Sequence, residues 1–520
     1  MSSLEALTPG RDAGGGAGAF ETKRARPVWA GARRHRDVRA VSLPLSLPLL
    51  AAVLLGLTAP ACSLGGESGV APPLNRIFLP TGLSVSSSGR WMAVVNSNSD
   101  LRYSFGTVLP LDLDAAEKDR AESWQDCPAV DFRPREPKES YCCRDLLDRR
   151  VLNCDERPYA RSSQTVRIGS FGTEPTVQRF VRSGRVVDRL FFGVRADPSI
   201  TFVDLTEEGD QISLRCSGPV NGAEAPRANA RCDETYRVET GTLEGQSVNL
   251  PEEPYSLLFN PSLGVLYVGH LFGGLSALDV CGPGDGRVPR LAAVLRGVYG
   301  GENSTGVTSV TLARPSDPAA PVFATARQGF NLGQVVFRSP ASASACTEGR
   351  DLTLVASAPT AAAAFIPRGS ETRGLVFQPE RQRAFILHRN SGGNPAALVR
   401  ADISDAGAGR FTFRPTETID VCSGPAQLAL HDGGRGARLY VPCFDSGQIY
   451  VVDPDLMVVT NIVETGRGPA SVTFDPSDPG LAYVVGFIDN NVSVLDLRPG
   501  SPTELRIIQR IGFPRTSNQL

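Results

Sequence analysis

The scarce reactive side chains of this chain are four histidines, eleven cysteines and three lysines among 520 residues. His270 and His388 each close a short apolar run, and Asn96, Arg195, Arg327 and Arg389 stand at or beside the corresponding point of other runs. Imidazole, guanidinium and amide groups gathered at one mouth would receive an anionic or sugar-like ligand. Bond-breaking chemistry has fewer candidates. No Gly-x-Ser-x-Gly elbow, His-Glu-x-x-His pair or phosphate loop occurs, and the Gly273-Gly274 and Gly433-Gly434 pairs read as turn glycines rather than a cofactor fingerprint. Tyr141-Cys142-Cys143 lacks the Cys-x-x-Cys spacing of a zinc site and has no histidine nearby. No catalytic set, metal or cofactor is assigned on these residues.

The elements that must position such groups begin with a head segment. Val41 to Ala61 is an uncharged apolar run preceded by Arg33, Arg34, Arg36 and Arg39 and followed by Cys62. That is the layout of an export signal. The run approaches the ~20 residues needed to span a bilayer, but Pro44 and Pro48 interrupt it. Ala59-Pro60-Ala61-Cys62 resembles the lipobox of bacterial lipoproteins, which implies acylation of Cys62; alanine stands where leucine is commoner. The alternative is an ordinary Ala-x-Ala cleavage site. Removing Cys62 leaves ten cysteines, an even number suited to pairing. The forty residues before the run are long for a signal, and a true start near Val38 would shorten them.

We therefore divide the chain into a signal segment at 1–61, a lipidated flexible tether at 62–73 and a globular region at 74–520. Cleavage before Cys62 leaves 45 basic against 51 acidic side chains, a net charge of −6. Neither that value nor the −2 of the whole chain favours a nucleic-acid partner. With 41 percent hydrophobic and 21 percent charged residues, the chain is not broadly disordered.

After the tether, one three-part phrase recurs. Gly468-Pro-Ala-Ser-Val-Thr-Phe474 is followed by Leu481-Ala-Tyr-Val-Val485 and Asn491-Val-Ser-Val-Leu-Asp496. The same order appears from Gly424 to Asp453 and from Glu253 to Asp279, with weaker copies starting at Leu79, Glu174, Val307 and Thr372. Each phrase holds short alternating runs rich in Val, Leu, Ile, Tyr and Phe, separated by turn pairs such as Asn260-Pro261 and Asp475-Pro476. A fourth apolar run usually follows the aspartate. Four strands in each of seven units predict an all-β, seven-bladed propeller of antiparallel blades.

The phrase resembles the YVTN family of seven-bladed β-propellers, over most of Leu79 to Leu497. Membership implies the fold firmly and a function poorly, because such propellers host several chemistries. Leu505 to Ile511 is expected to be the last outer strand, with Leu74 to Leu79 adding to the same edge so that the two ends meet.

Export permits disulfides. Cys422 precedes the first strand of its unit and Cys443 ends the second, which brings them opposite each other. Cys216 and Cys232 bracket a polar excursion whose local bridge would be worth ~3 kcal/mol in the chain-entropy model. Cys127, Cys142, Cys143 and Cys154 lie in a long insertion at 113–163 and allow three connectivities. Cys281 and Cys346 occupy equivalent loops of successive units. Strand counting puts the insertion on the face opposite the Cys422 loop, as rim decoration or a docking surface.

Three histidines after the head cannot build a copper site of the nitrous oxide reductase type, and two tryptophans there do not carry the blade signature of quinone-cofactor propellers. The expected function is a monomeric, non-catalytic binding or scaffold module for a protein, peptide or glycan. It would be held at the bilayer of a bacterial envelope through Cys62, periplasmic or surface-facing. The alternative is a lactonase-like hydrolase with a divalent cation in the central channel, which requires clustered carboxylates there.

Overall fold

In the computed structural model, the described residues are 69–127, 141–220, 227–299, 305–317, 320–328, 331–338, 353–361, 371–390, 396–405, 410–434 and 436–512. The signal segment, Cys62 and Cys346 lie outside them. The chain divides after Gly66, and all of these residues belong to the unit from Glu67 to Leu520.

Seven sheets follow one another, each built on four antiparallel strands in chain order, and Thr240–Leu243 with Gln246–Asn249 forms a separate two-stranded sheet. Blade 1 is Pro80–Val85, Trp91–Asn96, Gly106–Asp112 and Val166–Ile168, and blade 2 is Thr176–Arg182, Arg185–Val194, Ser199–Glu208 and Gln211–Arg215. Blade 3 is Pro254–Asn260, Val265–His270, Leu275–Asp279 and Arg290–Leu295, and blade 4 is Val307–Leu312, Val322–Ala326, Asn331–Arg338 and Thr353–Ala361. Blade 5 is Glu371–Gln378, Arg383–Arg389, Ala396–Asp405 and Phe411–Val421. Blade 6 is Ala429–Asp432, Ala437–Cys443, Gln448–Asp453 and Val458–Glu464, and blade 7 is Pro469–Phe474, Leu481–Gly486, Asn491–Asp496 and Arg506–Ile511. The protein is a seven-bladed β-propeller.

Every residue of Trp91–Asn96, Val265–His270 and Asn491–Asp496 is buried, because these middle strands carry a neighbouring blade on each face. Alternation in the sequence therefore sorts side chains between two interblade cores, not between core and solvent. One apolar cluster joins Val265 and Tyr267 of blade 3 to Val310 and Val322 of blade 4, and another joins Leu387 and Leu398 of blade 5 to Leu439 and Val441 of blade 6. Leu83, Met92 and Val94 of blade 1 pack with Tyr483, Val485 and Val494 of blade 7, which closes the ring.

The aspartate that ends the third strand anchors the following turn. Asp453 Oδ1 accepts from the backbone N–H of Asp455 and Leu456, at 2.9 and 3.0 Å. Asp496 accepts from Arg498, Ser501 and Thr503, which hold its carboxyl at about 2 despite burial. Asp204 pairs with the fully buried Arg189 at 2.6 Å.

The insertion of blade 1 opens with a helix, Leu113–Ala121, whose N-cap Asp112 accepts from the Ala115 N–H. Among the described residues no helix is long and apolar enough to cross a membrane. Beyond the helix, Cys142–Arg144 and Leu152–Cys154 form a small hairpin, and Leu152–Cys154 pairs in parallel with Gln509–Ile511. The insertion thus widens blade 7 to six strands at its outer edge. Disulfides Cys127–Cys143 and Cys142–Cys154 staple it, and Gln509 Nε2 donates to the Ala116 carbonyl beneath the helix.

This hairpin occupies the edge expected for Leu74–Leu79, which forms no strand. That segment runs instead beside the inner end of blade 1, where the Phe78 N–H donates to Asn96 Oδ1 and the Leu79 N–H to Asn490 Oδ1 of blade 7. Fixed order begins inside the stretch read as tether, since the Val70 carbonyl accepts from the Ser104 N–H at 2.9 Å. Two further bridges are Cys216–Cys232 and Cys422–Cys443. Cys281 is disulfide-bonded, and its expected partner Cys346 lies outside the described residues.

Cys142→Ser paired with Cys154→Ser removes the staple across the hairpin that covers the last strand. Urea denaturation should show a loss of about 3 kcal/mol relative to the oxidised parent. A midpoint unchanged by the double substitution would mean that the hairpin does not brace blade 7.

Candidate functional site

The seven inner strands face a common axis, and five of them begin with the same irregularity. The pairing with the second strand slips between Pro80 and Gly82, Pro254 and Ser256, Val307 and Ser309, Thr372 and Gly374, and Pro469 and Ser471. The skipped residues, Thr81, Tyr255, Thr308, Arg373 and Ala470, all line the axial cavity. A bulge re-aims one side chain out of the ladder, and here it does so blade after blade. The residue before the inner strand takes positive φ at Leu79, Glu253, Gly306 and Gly468, and Gly424 does so before the Pro425 bridge to Cys443. That conformation explains the glycine of the recurring Gly-Pro.

The cavity has a volume of about 710 Å³ and draws its wall from all seven blades. Its lining mixes small polar and apolar side chains, among them Ser256, Leu257, Ser309 and Val310. The mouth carries Phe171, Tyr255, Phe444 and Phe487, with Phe444 and Phe487 centroids 5.8 Å apart. Phe171 has φ of 59° with its N–H bonded to the Ser97 carbonyl, an unfavourable backbone for an aromatic residue that the surrounding structure holds in place.

Three arginines share this lining, each already neutralised. Arg195 pairs with Glu253 and lies over the Phe171 and Tyr255 rings. Arg373 reaches Glu371 at 3.0 Å and donates to the Tyr255 hydroxyl at 3.1 Å, and Arg389 lies 3.5 Å from Asp445. Glu174 is different. Gln427 Nε2 of blade 6 donates to its Oε1 at 2.9 Å, a bond that crosses the axis from blade 2, while Gln427 Oε1 accepts from the Val472 N–H. Glu174 is half-buried by surface area but surrounded by protein, so what it faces is the cavity and not bulk water. Loss of hydration pushes its carboxyl up from 4.5 to about 7, with the Gln427 bond opposing the shift.

Of the six side chains expected at the mouth, Arg195 and Arg389 line it. Asn96, His270 and His388 do not: each is fully buried. The second strand continues through these three positions and pairs with the residue just before the bulge, as in Pro80 with Asn96 and Pro254 with His270. Their side chains therefore lie beneath the bulge. Asn96 donates to Thr107 Oγ1 and the Arg76 carbonyl, and the His270 ring bridges the Glu252 carbonyl and Ser276 Oγ. Burial pushes His270 down to about 4 and His388 to about 3, so both stay neutral near pH 7. Arg327 lies outside the lining, over the Phe272 ring.

Among the described residues no group of three His, Cys, Asp or Glu side chains could hold a metal ion. The carboxylates among the described lining residues are Glu174 and Asp445, and Asp445 lies 3.5 Å from Arg389. Sequence reading missed Glu174, Arg373 and Gln427. The available signal was a long polar side chain where other copies are shorter: Gln427 where they have Ser256 and Ser471, and Arg373 where they have Thr81, Thr308 and Ala470.

No family model matches the chain, and no curated protein matches it. Similar solved structures include the β-propeller domain of Cps50 (Swd1) from Myceliophteria thermophila, 10% identical, covering 81% of this chain and 96% of that one with a TM-score of 0.45. Raptor from Chaetomium thermophilum is 11% identical over 82% of this chain and 28% of its own, with a TM-score of 0.44. Hydrazine synthase from Kuenenia stuttgartiensis is 12% identical over 81% and 96%, with a TM-score of 0.41.

A raised carboxyl makes the folded state bind a proton that the unfolded state has released between pH 4.5 and about 7, so stability falls as pH rises through that window. Glu174→Gln should stabilise the protein by roughly 2 kcal/mol at pH 8 and by nothing measurable at pH 4.5, after discounting the full shift for water in the channel. Denaturant titrations at the two pH values check this. An equal effect at both would contradict it.

Proposed function

We propose that this chain is an exported lipoprotein of the YVTN type whose propeller acts, as a monomer, as a non-catalytic binding module for a protein, peptide or glycan. Acylated Cys62 holds it at a bacterial envelope membrane, facing the periplasm or the outside. The apolar run before Cys62 supports export, and the four disulfides among the described residues suit an oxidising compartment. The observation that carries the binding role is the axial cavity. All seven blades contribute to it, and aromatic rings and paired arginines line it.

Peptide and glycan arrays probed with the parent protein and with Ala426→Trp, which fills the channel, test the role. A ligand retained by the parent and lost in the filled variant is the expected result. Equal retention by both, or no ligand at all, would remove the axial role. For the anchor, alkynyl-palmitate should label the parent and leave Cys62→Ser unlabelled and released from the membrane fraction.

A further inference from the structure

We propose that the axial channel receives an alkylammonium group, as carried by a lysine side chain, with Glu174 as its counter-charge and the aromatic mouth as the bed for its stem. The inference rests on the reading of the propeller as a binding module and names the ligand chemistry of that same site.

The charge balance of the lining carries the argument. Arg195, Arg373 and Arg389 are matched by Glu253, Glu371 and Asp445. Among the described residues lining the channel, Glu174 is the one charged group whose partner is a neutral amide. An ionised carboxylate held out of bulk water attracts a cation more strongly than one on the surface does. An anionic ligand would meet guanidinium groups that already face carboxylates. The rings of Phe171, Tyr255, Phe444 and Phe487 offer π faces and apolar area to a methylene stem. Arg195 lies 5.9 Å from the Phe171 and Tyr255 ring centres, so cation–aromatic contact already occurs at this mouth.

Gln427 links Glu174 to blade 7. Its amide donates to Glu174 while its oxygen stays on the Val472 N–H. An ammonium group would take the place of the Gln427 donor and bring full charge in place of a neutral dipole. The titratable and charged groups facing the cavity are Glu174, Arg195, Arg373, Arg389, Asp445 and Tyr255, and burial raises the Glu174 carboxyl to about 7.

Isothermal titration of the full-length protein with n-hexylammonium and with 1-hexanol tests the assignment. The parent should bind hexylammonium at least tenfold more tightly at pH 8.5 than at pH 5.5, with hexanol binding unchanged. Glu174→Gln should weaken hexylammonium at least tenfold at pH 8.5 and abolish the pH response, whereas Gln427→Ala should keep it; thermal unfolding confirms that both variants fold. A blocked lysine peptide binding more tightly than hexylammonium assigns the site to a peptide side chain, and equal binding assigns it to a free amine. Hexylammonium binding that ignores pH and Glu174→Gln, or no binding at millimolar concentration, overturns the proposal. An array ligand lost in Ala426→Trp but indifferent to Glu174→Gln would sink the ammonium site and leave the binding module standing.

Discussion

A propeller blade is apolar on both faces of its sheet, and that single constraint governs the rest of the molecule. Neither face can be left to water, so each blade needs two neighbours, and a row of blades reaches an acceptable state only when its last member meets its first. Here the meeting is made by Leu83 and Val94 against Tyr483 and Val485. The outer edge of blade 7 would otherwise present unpaired backbone groups. The hairpin inserted in blade 1 takes that edge in parallel register, fastened by two disulfides through the adjacent residues Cys142 and Cys143.

Closure has a consequence at the axis. Seven inner strands converging on one line leave a space that no single blade can fill, and the recurrent bulge decides what enters it. At each of five strand starts the backbone slips by one residue and turns a side chain inward. Most of these are small, which keeps the channel open; Arg373 and Tyr255 are not, and they hold each other. Glu174 and Gln427, from blades nearly opposite in the ring, bond across what remains. The polar character of the channel thus follows from ring geometry acting on a few departures from the repeat.

The repeat was readable because strands, turns and third-strand aspartates recur locally. Asp453 and Asp496 brace the turns behind them, which accounts for their place in the phrase. The six-stranded blade was not readable: Cys154 and Gln509 lie hundreds of residues apart, and nothing in three-residue runs such as Leu152–Cys154 specifies a parallel partner. Asn96, His270 and His388 misled for a related reason. They end second strands, where a polar residue suggests emergence into solvent, yet the bulge of the adjacent strand folds over them. Whether such a residue is capped by a bulge depends on the backbone of the adjacent strand, which composition at the residue itself does not reveal. The informative positions were those where the repeat is broken, as at Glu174 and Arg373.

Seven blades shield the axial space from bulk water, and the Glu174 carboxyl reports on that shielding directly. A carbon-detected NMR titration of this side chain in the oxidised, ligand-free protein should find its midpoint near 7. A midpoint near the ordinary 4.5 would place the carboxyl in open solvent and contradict the closed axis on which the rest depends.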